Sequence, residues 1–391
     1  MTVKSPQKIY SLESLRGLAA LSVVLCHTVQ AFWPGLKIGL GAPLTSLWHN
    51  GGFAVRLFFV LSGFVLSLSY CRTQNLRLLK SSASRRYFRL YIPAAASIAF
   101  AYLLHVCGAF EPLTTVKGTP GQTDWIRNLY SSEPSLRLAV REALLGPVLD
   151  YQFMKYNEVL WTMGVELKGS MLVFATLALF GTARHRWLIY GLLIYALDAW
   201  RLHYAVDFVF GMAMSDWHCN HSARSKESWL WLVLFAMGAC LGDLQTAWVE
   251  GVGGPGMIRG SRWWPTLAAG MLVLSSVRSC HLEWLLSVSP LVWLGEVSFA
   301  LYLFHLPIIC SIGAWTYMRL MLGGIGDYWS AMIASVVAIT VSLAVAPIGP
   351  LLLDRLAIRA GRWGERWLYP ESTVAERVPL LHSHHLPVGA K

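Results

Sequence analysis

A histidine inside an apolar segment is the first residue of this sequence that could do chemistry. The stretch from Ser11 to Pro34 is long enough to cross a bilayer, which takes about 20 apolar residues, and His27 lies deep within it. An ionisable group at that depth is costly and usually marks a functional site. Arg16 lies eleven residues earlier, which on a helix places it about 16 Å from the histidine and near the surface.

An acidic residue is expected at a comparable depth in a later apolar segment. Glu166 lies seven residues into the segment 159–180, roughly 10 Å from the surface at which that segment is expected to begin. His27 is expected roughly 9 Å below the same surface. If the two helices adjoin, the carboxylate would orient the imidazole and favour its charged form. The alternative, in which each residue satisfies a different polar partner within the bundle, stays open.

A cluster of arginines precedes the third apolar segment. The sequence SASRRYFRLYIP contains Arg85, Arg86 and Arg89. If this part is helical, Arg86 and Arg89 share a face because they are three residues apart. Clustered guanidinium groups suit phosphate groups, which they bind in a bidentate manner. A topological role with contact to anionic lipid explains the cluster equally well.

Two further apolar segments carry polar residues at informative positions. Ser62 precedes Gly63 in FFVLSGFVLSLSY, and such a small pair more often permits close helix packing than nucleophilic chemistry. Ser298, Tyr302 and His305 fall on one helical face of GEVSFALYLFHLPI. That polar face predicts either a lined cavity or a hydrogen-bonded packing seam.

Composition and charge indicate a membrane protein with many spans. The chain has 391 residues, of which 55% are hydrophobic and 14% charged, and its mean hydropathy is +0.49. Soluble domains carry about 25% charged residues. The net charge is +11, but the basic residues lie mostly in short gaps between apolar runs. Membrane topology therefore explains them, and nucleic acid is not an expected partner.

Ten apolar segments are predicted to cross the membrane, so the expected fold is an all-α, polytopic transmembrane helical bundle. With both termini cytoplasmic, the basic gaps lie on one side and the long gap 109–158 on the other, in agreement with the positive-inside rule. The fifth and sixth segments are short and are expected to form a tight hairpin or one bent element. The expected location is a bacterial inner membrane, a plasma membrane or another eukaryotic membrane. The ten segments are 12–33, 53–70, 90–108, 159–180, 187–202, 203–216, 229–248, 264–280, 291–313 and 328–353.

The membrane domain is expected to cover residues 1–370, followed by a polar, disordered tail at 371–391. No metal site is expected in the tail, because nothing near His382, His384 and His385 would fix a coordination geometry. The seven cysteines show no metal-binding spacing. No nucleotide-binding loop, dinucleotide fingerprint or zinc-protease motif is present, and no permanently bound cofactor is expected.

The motifs resemble, in the same order, those of the acyltransferase type 3 membrane proteins, which O-acylate sugars, glycolipids and some small hydroxylated metabolites. SLRGLAALSVVLCH is similar to the opening motif of that family, and AVRLFFVLSGFVLS is similar to its second-span signature. RRYFRLYIP, LWTMGVELKGSMLVF and LGEVSFALYLFHLPI resemble its later segments. The likeness covers about residues 8–360. Arg56 departs from the family pattern, since many relatives carry an acid there.

The resemblance implies transfer of an acyl group, expected to be acetyl, from acyl-CoA to a hydroxyl of a carbohydrate, glycolipid or small metabolite. His27 would act as general base on the acceptor hydroxyl, and Glu166 would orient it. The residues expected to hold the phosphates of coenzyme A at the cytoplasmic face are Arg16, Arg85, Arg86 and Arg89. The residues expected to line the cavity or stabilise the oxyanion are Ser62, Tyr302 and His305.

Two other functions remain open from the sequence. A proton-coupled transporter or flippase would use the intramembrane histidine and acid as a proton relay, without acyl transfer. A scaffold subunit of a glycan-assembly complex would tolerate substitution of both residues. The one-sided arginine cluster favours the enzyme, because a proton relay has no need of it. Membrane lipid and the hydroxylated acceptor are the expected partners, and the sequence leaves the oligomeric state open.

Overall fold

The computed structural model of this chain describes residues 8–33, 50–110, 129–149, 154–221, 228–249 and 263–369. Within these ranges every regular element is a helix, which confirms the all-α prediction. The predicted tail at 371–391 lies outside the described residues. The helices are α1 (Tyr10–Phe32), α2 (Gly51–Thr73), α3 (Leu76–Val106), α4 (Leu136–Leu149), α5 (Trp161–Phe180), α6 (Arg186–Ala199), α7 (His203–Asn220), α8 (Ser228–Val249), α9 (Trp264–Arg278), α10 (Cys280–Leu286), α11 (Ser289–Ile308), α12 (Ala314–Leu322), α13 (Asp327–Val345) and α14 (Asp354–Leu368).

All ten predicted segments fall on helices of the structure. The fifth and sixth are separate helices, α6 and α7, which pack against each other as a hairpin joined by residues 200–202. Four of the ten predicted segments, those on α6, α7, α8 and α9, are shorter or less apolar than the others. In the described part of the chain, six helical stretches are long and apolar enough to cross a membrane, namely Tyr10–Phe32, Gly51–Thr73, Leu76–Val106, Glu158–Phe180, Ser289–Leu322 and Asp327–Leu368.

One helix, α4, has no counterpart in the sequence prediction, which treats 109–158 as a long gap. α4 packs against α3 and α5. Its Glu142 is buried and accepts hydrogen bonds from the backbone N–H groups of Lys155 at 2.8 Å and Tyr156 at 3.0 Å. Burial raises the pKa of Glu142 because the ionised carboxylate loses its water. These two hydrogen bonds attach the segment that leads into α5 to helix α4.

Glycines allow the central helices to approach closely. Gly17 of α1 faces Gly295 of α11, and a Cβ atom at Gly17 would lie 2.6 Å from the Gly295 backbone nitrogen. Gly63 of α2 lies even closer to the backbone of Phe208 in α7, whose carbonyl oxygen would clash with a Cβ atom at Gly63. That contact is the packing role expected of a small residue at this position. The approach of α1 to α11 brings the polar residues of both helices together.

The segment before α5 enters the bundle instead of ending at its surface. Asn157 is fully buried, and its amide group donates hydrogen bonds to Ser97 Oγ at 3.1 Å and to the Leu303 carbonyl at 2.7 Å. Near the start of α5, the Thr162 hydroxyl lies 3.0 Å from the Tyr302 hydroxyl. α5 therefore begins level with the interior of α11, and this changes the depth of every residue that it carries.

Candidate active site

A cavity of about 170 Å³ lies between α1, α2, α3, α5 and α11, with the first residue of α14 at its edge. It contains six of the nine site residues predicted from the sequence. Its other walls are largely apolar, including Phe58 and Phe299. The polar lining residues are Arg16, Ser62, Arg86, Arg89, Thr162, Glu166, Glu296, Ser298, Tyr302 and Asp354.

Three of the lining residues, Arg16, Arg86 and Arg89, are here called the arginine layer. Arg16 donates hydrogen bonds to Glu13 at 2.5 Å and to Ser298 Oγ at 3.1 Å. Arg89 has no hydrogen bond or ion pair within the described residues, and its side chain is exposed. Arg89 is therefore the member of the layer that is most available to an anion in the cavity.

Arg86 belongs to a buried network of hydrogen bonds and one ion pair that joins α3 to α5 and α2. Its guanidinium group forms an ion pair with Glu166, and its Nε donates to Ser170 Oγ at 2.9 Å. The Ser62 hydroxyl donates to the same Glu166 carboxylate at 2.6 Å. Because charged groups are costly to bury unless paired, Arg86 and Glu166 satisfy each other. Ser62 thus lines the cavity as a hydrogen-bond donor to this pair.

Arg85 does not line the cavity, so the structure brings together only three of the four arginines predicted to bind phosphate. Its Nε lies 3.3 Å from Glu365 Oε2 of α14 and donates to the Ser81 carbonyl at 3.1 Å. Arg85 is about 100° around the helix from Arg86, and its contact with Glu365 turns its guanidinium group toward α14. Arg86 and Arg89 share the cavity face, as their spacing predicts.

A second polar group, here called the histidine pair, consists of His27 of α1 and His305 of α11. His27 Nδ1 lies 2.8 Å from His305 Nε2, and the two rings are within 5° of parallel. His305 is fully buried, whereas His27 is partly exposed. Neither lines the cavity, but the Tyr302 ring, which does, lies 5.9 Å from the His305 ring between centroids.

The hydrogen bonds of the histidine pair define its tautomers. His305 Nδ1 lies 2.8 Å from the Tyr302 carbonyl and 3.2 Å from the Leu301 carbonyl. A carbonyl oxygen only accepts, so this nitrogen carries the proton. In the neutral ring, His305 Nε2 must then accept a hydrogen bond from His27 Nδ1. If both rings are neutral, this arrangement leaves the lone pair of His27 on Nε2.

Glu166 does not pair with His27, contrary to the prediction from depth. That prediction places the start of α5 at the outer surface, whereas α5 begins level with Tyr302. Glu166 lies one turn beyond Thr162, about 6 Å further from the histidine pair. Its carboxylate is bound by Arg86 and Ser62, whereas His27 is hydrogen-bonded to His305.

The comparison with protein families settles the relationship of this chain to known proteins. The family model described as "Acyltransferase domain" matches residues 9–348, which include every cavity-lining helix except α14. The chain belongs to this acyltransferase family. The motif resemblance in the sequence is thereby confirmed.

Two curated relatives of this acyltransferase are fungal proteins. O-acetyltransferase PaAT-1 of Phomopsis amygdali is 25% identical over 362 residues, which cover 77% of this chain and 72% of the relative. Acyltransferase clz18 of Cochliobolus lunatus is 26% identical over 341 residues, with 71% of this chain and 72% of the relative covered. No solved structure gives a significant match.

Several residues of the acyltransferase cavity are absent from the site predicted by sequence. Thr162 and the Val159 carbonyl bind the Tyr302 hydroxyl, each at 3.0 Å, so that this tyrosine ties α11 to α5. Asp354 lines the cavity and interacts electrostatically with Arg89 and Arg16. Hydropathy does not single out Asp354, because this residue follows the last apolar segment. It lies beside the cavity only because α14 packs against α3. Among the described residues no cluster of metal-binding side chains is found.

Proposed function

We propose that this acyltransferase moves an acetyl group, or another acyl group, from its coenzyme A thioester to a hydroxyl of a carbohydrate, glycolipid or small metabolite. The observation that carries the proposal is one cavity with an arginine layer on its wall and a histidine pair directly behind its Tyr302. Family membership supports acyl transfer over a proton relay. The name of one relative, an O-acetyltransferase, supports acetyl as the transferred group.

The arginine layer would bind the phosphate groups of the donor. Arg89 is available for a bidentate contact with phosphate, and Arg16 would add a second contact from α1. Arg86 is already paired with Glu166, so its charge contributes less. The Asp354 carboxylate, which interacts electrostatically with Arg89, would be displaced from this arginine when a phosphate group binds.

The pantetheine arm would extend from the arginine layer past Tyr302 to the histidine pair. Arg16 and His27 lie on one helix, about 16 Å apart along its axis, and a long flexible arm suits that separation. The apolar wall at Phe58 and Phe299 would contact the arm. The thioester carbonyl would then lie between Tyr302 and His27.

His27 would act as the general base. Its Nε2 would take the proton of the acceptor hydroxyl as the oxygen attacks the thioester carbonyl, and the imidazolium would be stabilised through His305. The new C–O bond forms, the C–S bond breaks, and the coenzyme A thiolate leaves with the proton that His27 received. A positioned general base contributes about 10²–10⁴-fold. Tyr302 would contact the reacting groups from the cavity side.

The ten-span topology with both termini cytoplasmic is part of this proposal. The arginine layer lies toward the end of the bundle at which α1 begins, and the positive-inside rule assigns that end to the cytoplasm. Coenzyme A thioesters are cytoplasmic, so the donor would enter from that side. The partly exposed His27 lies further along α1, on the side from which an acceptor would approach.

The experiment that tests this function measures release of the coenzyme A thiol by the purified full chain in nanodiscs. Acetyl-CoA is supplied with pooled sugars, glycolipids and hydroxylated metabolites, and each pool is tested for acetylated product. Thiol release that depends on an acceptor and is lost in His27→Ala is the expected result. If a well-folded protein releases no thiol with any pool and instead conducts protons, the acyl-transfer proposal fails and the transporter is favoured.

A further inference from the structure

The last described helix, α14, divides into three distinct faces. At about 100° per residue, its four arginines fall within an arc of about 60°. None of the four has a hydrogen bond or ion pair within the described ranges, and three of them are exposed while the third in sequence is half-buried. The four residues, here called the arginine face of α14, are Arg355, Arg359, Arg362 and Arg366.

An exposed apolar face lies beside the arginine face. Leu356, Trp363 and Trp367 fall within an arc of about 40°, and the two tryptophans are 68% and 75% exposed. Tryptophan collects at the level of lipid headgroups, where its ring is apolar and its N–H group can reach a polar partner. Arginine beside tryptophan on one helix is the pattern of a helix at a membrane interface.

The third face of α14 is made of small residues and packs on α3. Ala357, Gly361 and Gly364 are buried. A Cβ atom at Gly361 would lie 3.1 Å from Arg85 Cγ, and one at Gly364 would lie 2.6 Å from the Phe88 ring. This contact fixes the rotation of α14 about its axis. The arginine and tryptophan faces must therefore point away from the protein.

We propose that α14 binds the headgroups of anionic lipids through its arginine face while its tryptophan face enters the membrane interface. Four arginines on one arc match a negatively charged lipid surface. The acids of the helix do not neutralise them, since Glu365 pairs with Arg85 and Asp354 lines the cavity. The site is separate from the donor cavity, and its test does not depend on acyl transfer.

Lipid bound to α14 would affect the neighbouring donor cavity. α14 contributes Asp354 to that cavity, and Glu365 holds the arginine adjacent to Arg86. An anionic lipid on the arginine face would stabilise α14 against α3 and so keep both residues in position. This consequence follows from the packing of the two helices, which are in extensive contact.

The test uses the full chain reconstituted in liposomes of equimolar phosphatidylcholine and phosphatidylserine. The protein is extracted with mild detergent, and the ratio of the two lipids that remain bound is measured by mass spectrometry. The variant Arg355→Gln with Arg359→Gln and Arg366→Gln removes three exposed charges from α14. The matched control, Arg72→Gln with Arg77→Gln and Lys80→Gln, removes three exposed charges from the α2–α3 turn.

Wild type is expected to retain phosphatidylserine in preference to phosphatidylcholine. The α14 variant should lower that preference by about tenfold, given the strength with which clustered basic residues attract an anionic surface. The control variant should retain it, and so should the variant with lysine at the same three α14 positions. Single Arg→Gln changes at each position should each remove part of it.

The proposal is overturned if wild type shows no preference for phosphatidylserine. It is also overturned if the α14 variant keeps the full preference while a cooperative thermal unfolding transition shows that the variant is folded. An equal loss in the α14 variant and the control would also overturn it, because the attraction would then belong to overall charge. Loss in the lysine variant would indicate a geometric partner such as a protein surface, and the lipid site would again be rejected.

Discussion

The arginine layer, on α1 and α3, and the histidine pair, on α1 and α11, share one helix but differ in their chemistry. The arginine layer is charged, faces an open cavity and is partly paired with two acids, Glu13 and Glu166. The histidine pair consists of two rings that are hydrogen-bonded to each other, and His305 Nδ1 also donates to a backbone carbonyl group. Recognition of an anion needs accessible charge, whereas proton transfer needs one defined tautomer in a secluded place. This difference supports our proposal that the arginine layer binds the donor and the histidine pair carries out the chemistry.

The largest effect is expected from the histidine pair. His27→Ala should lower kcat by about 10²–10⁴-fold, because it removes the proposed general base, while the KM for the acyl-CoA donor changes little. Steady-state thiol release by purified protein in nanodiscs measures both constants. His185→Ala, at an exposed histidine before α6, serves as the control and should behave as wild type. A His27→Ala enzyme with half of the wild-type kcat would contradict the assignment.

Glu166→Gln should affect stability more than chemistry. The substitution leaves Arg86 buried without its counter-charge, which costs about 3–5 kcal/mol, so the temperature of irreversible inactivation should fall. Glu365→Gln removes a partly exposed acid from its pair with Arg85 and should cost about 1 kcal/mol or less. If Glu166→Gln were as stable as wild type but as inactive as His27→Ala, the carboxylate would have a catalytic role.

Two arginines that are close in sequence should respond differently to alanine. Arg89→Ala should weaken binding of coenzyme A by about 10–100-fold, the range for loss of a charged hydrogen bond, because Arg89 faces the cavity. Arg85→Ala should change the Kd by less than about twofold, since its partner is Glu365. Calorimetric titration of coenzyme A measures both. Equal losses in the two variants would mean that the donor does not occupy the cavity.

His305 is expected to act as a positioning residue. His305→Ala should lower kcat by about tenfold, the loss expected when a hydrogen bond that orients a charged base is removed. His305→Gln should restore part of the rate, because its amide can donate to the Tyr302 carbonyl and accept from His27. A structural role alone would reduce thermal stability in both variants without this difference in kcat. The pH dependence of kcat should also shift in His305→Ala, as the imidazolium of His27 loses its partner.

Much of this arrangement follows from residue types and spacing. Hydropathy alone locates the ten helical segments, and the three-residue spacing of Arg86 and Arg89 correctly places both on one face. The approach of helices at Gly63 also follows from its small size. These features depend on one helix at a time, and a single sequence specifies the faces of a helix well.

The errors concern how helices meet. The depth of Glu166 depends on where α5 begins, and this is fixed by the buried Asn157 and its bonds to Ser97 and Leu303, which are remote in sequence. The direction of Arg85 depends on α14, which packs against α3 through small residues. α4 lies in a polar gap without a spanning apolar run. In each case the contact that determines the arrangement joins residues far apart in the sequence, so local sequence patterns do not predict it.

The most direct test of the division between the two groups is one calorimetric titration of coenzyme A into three proteins: wild type, His27→Ala and Arg89→Ala. We expect His27→Ala to bind coenzyme A with the wild-type Kd although it has lost turnover, and Arg89→Ala to bind it about tenfold or more weakly. Loss of binding in a folded His27→Ala protein, or unchanged binding in Arg89→Ala, would contradict the assignment of donor binding to the arginine layer and proton transfer to the histidine pair.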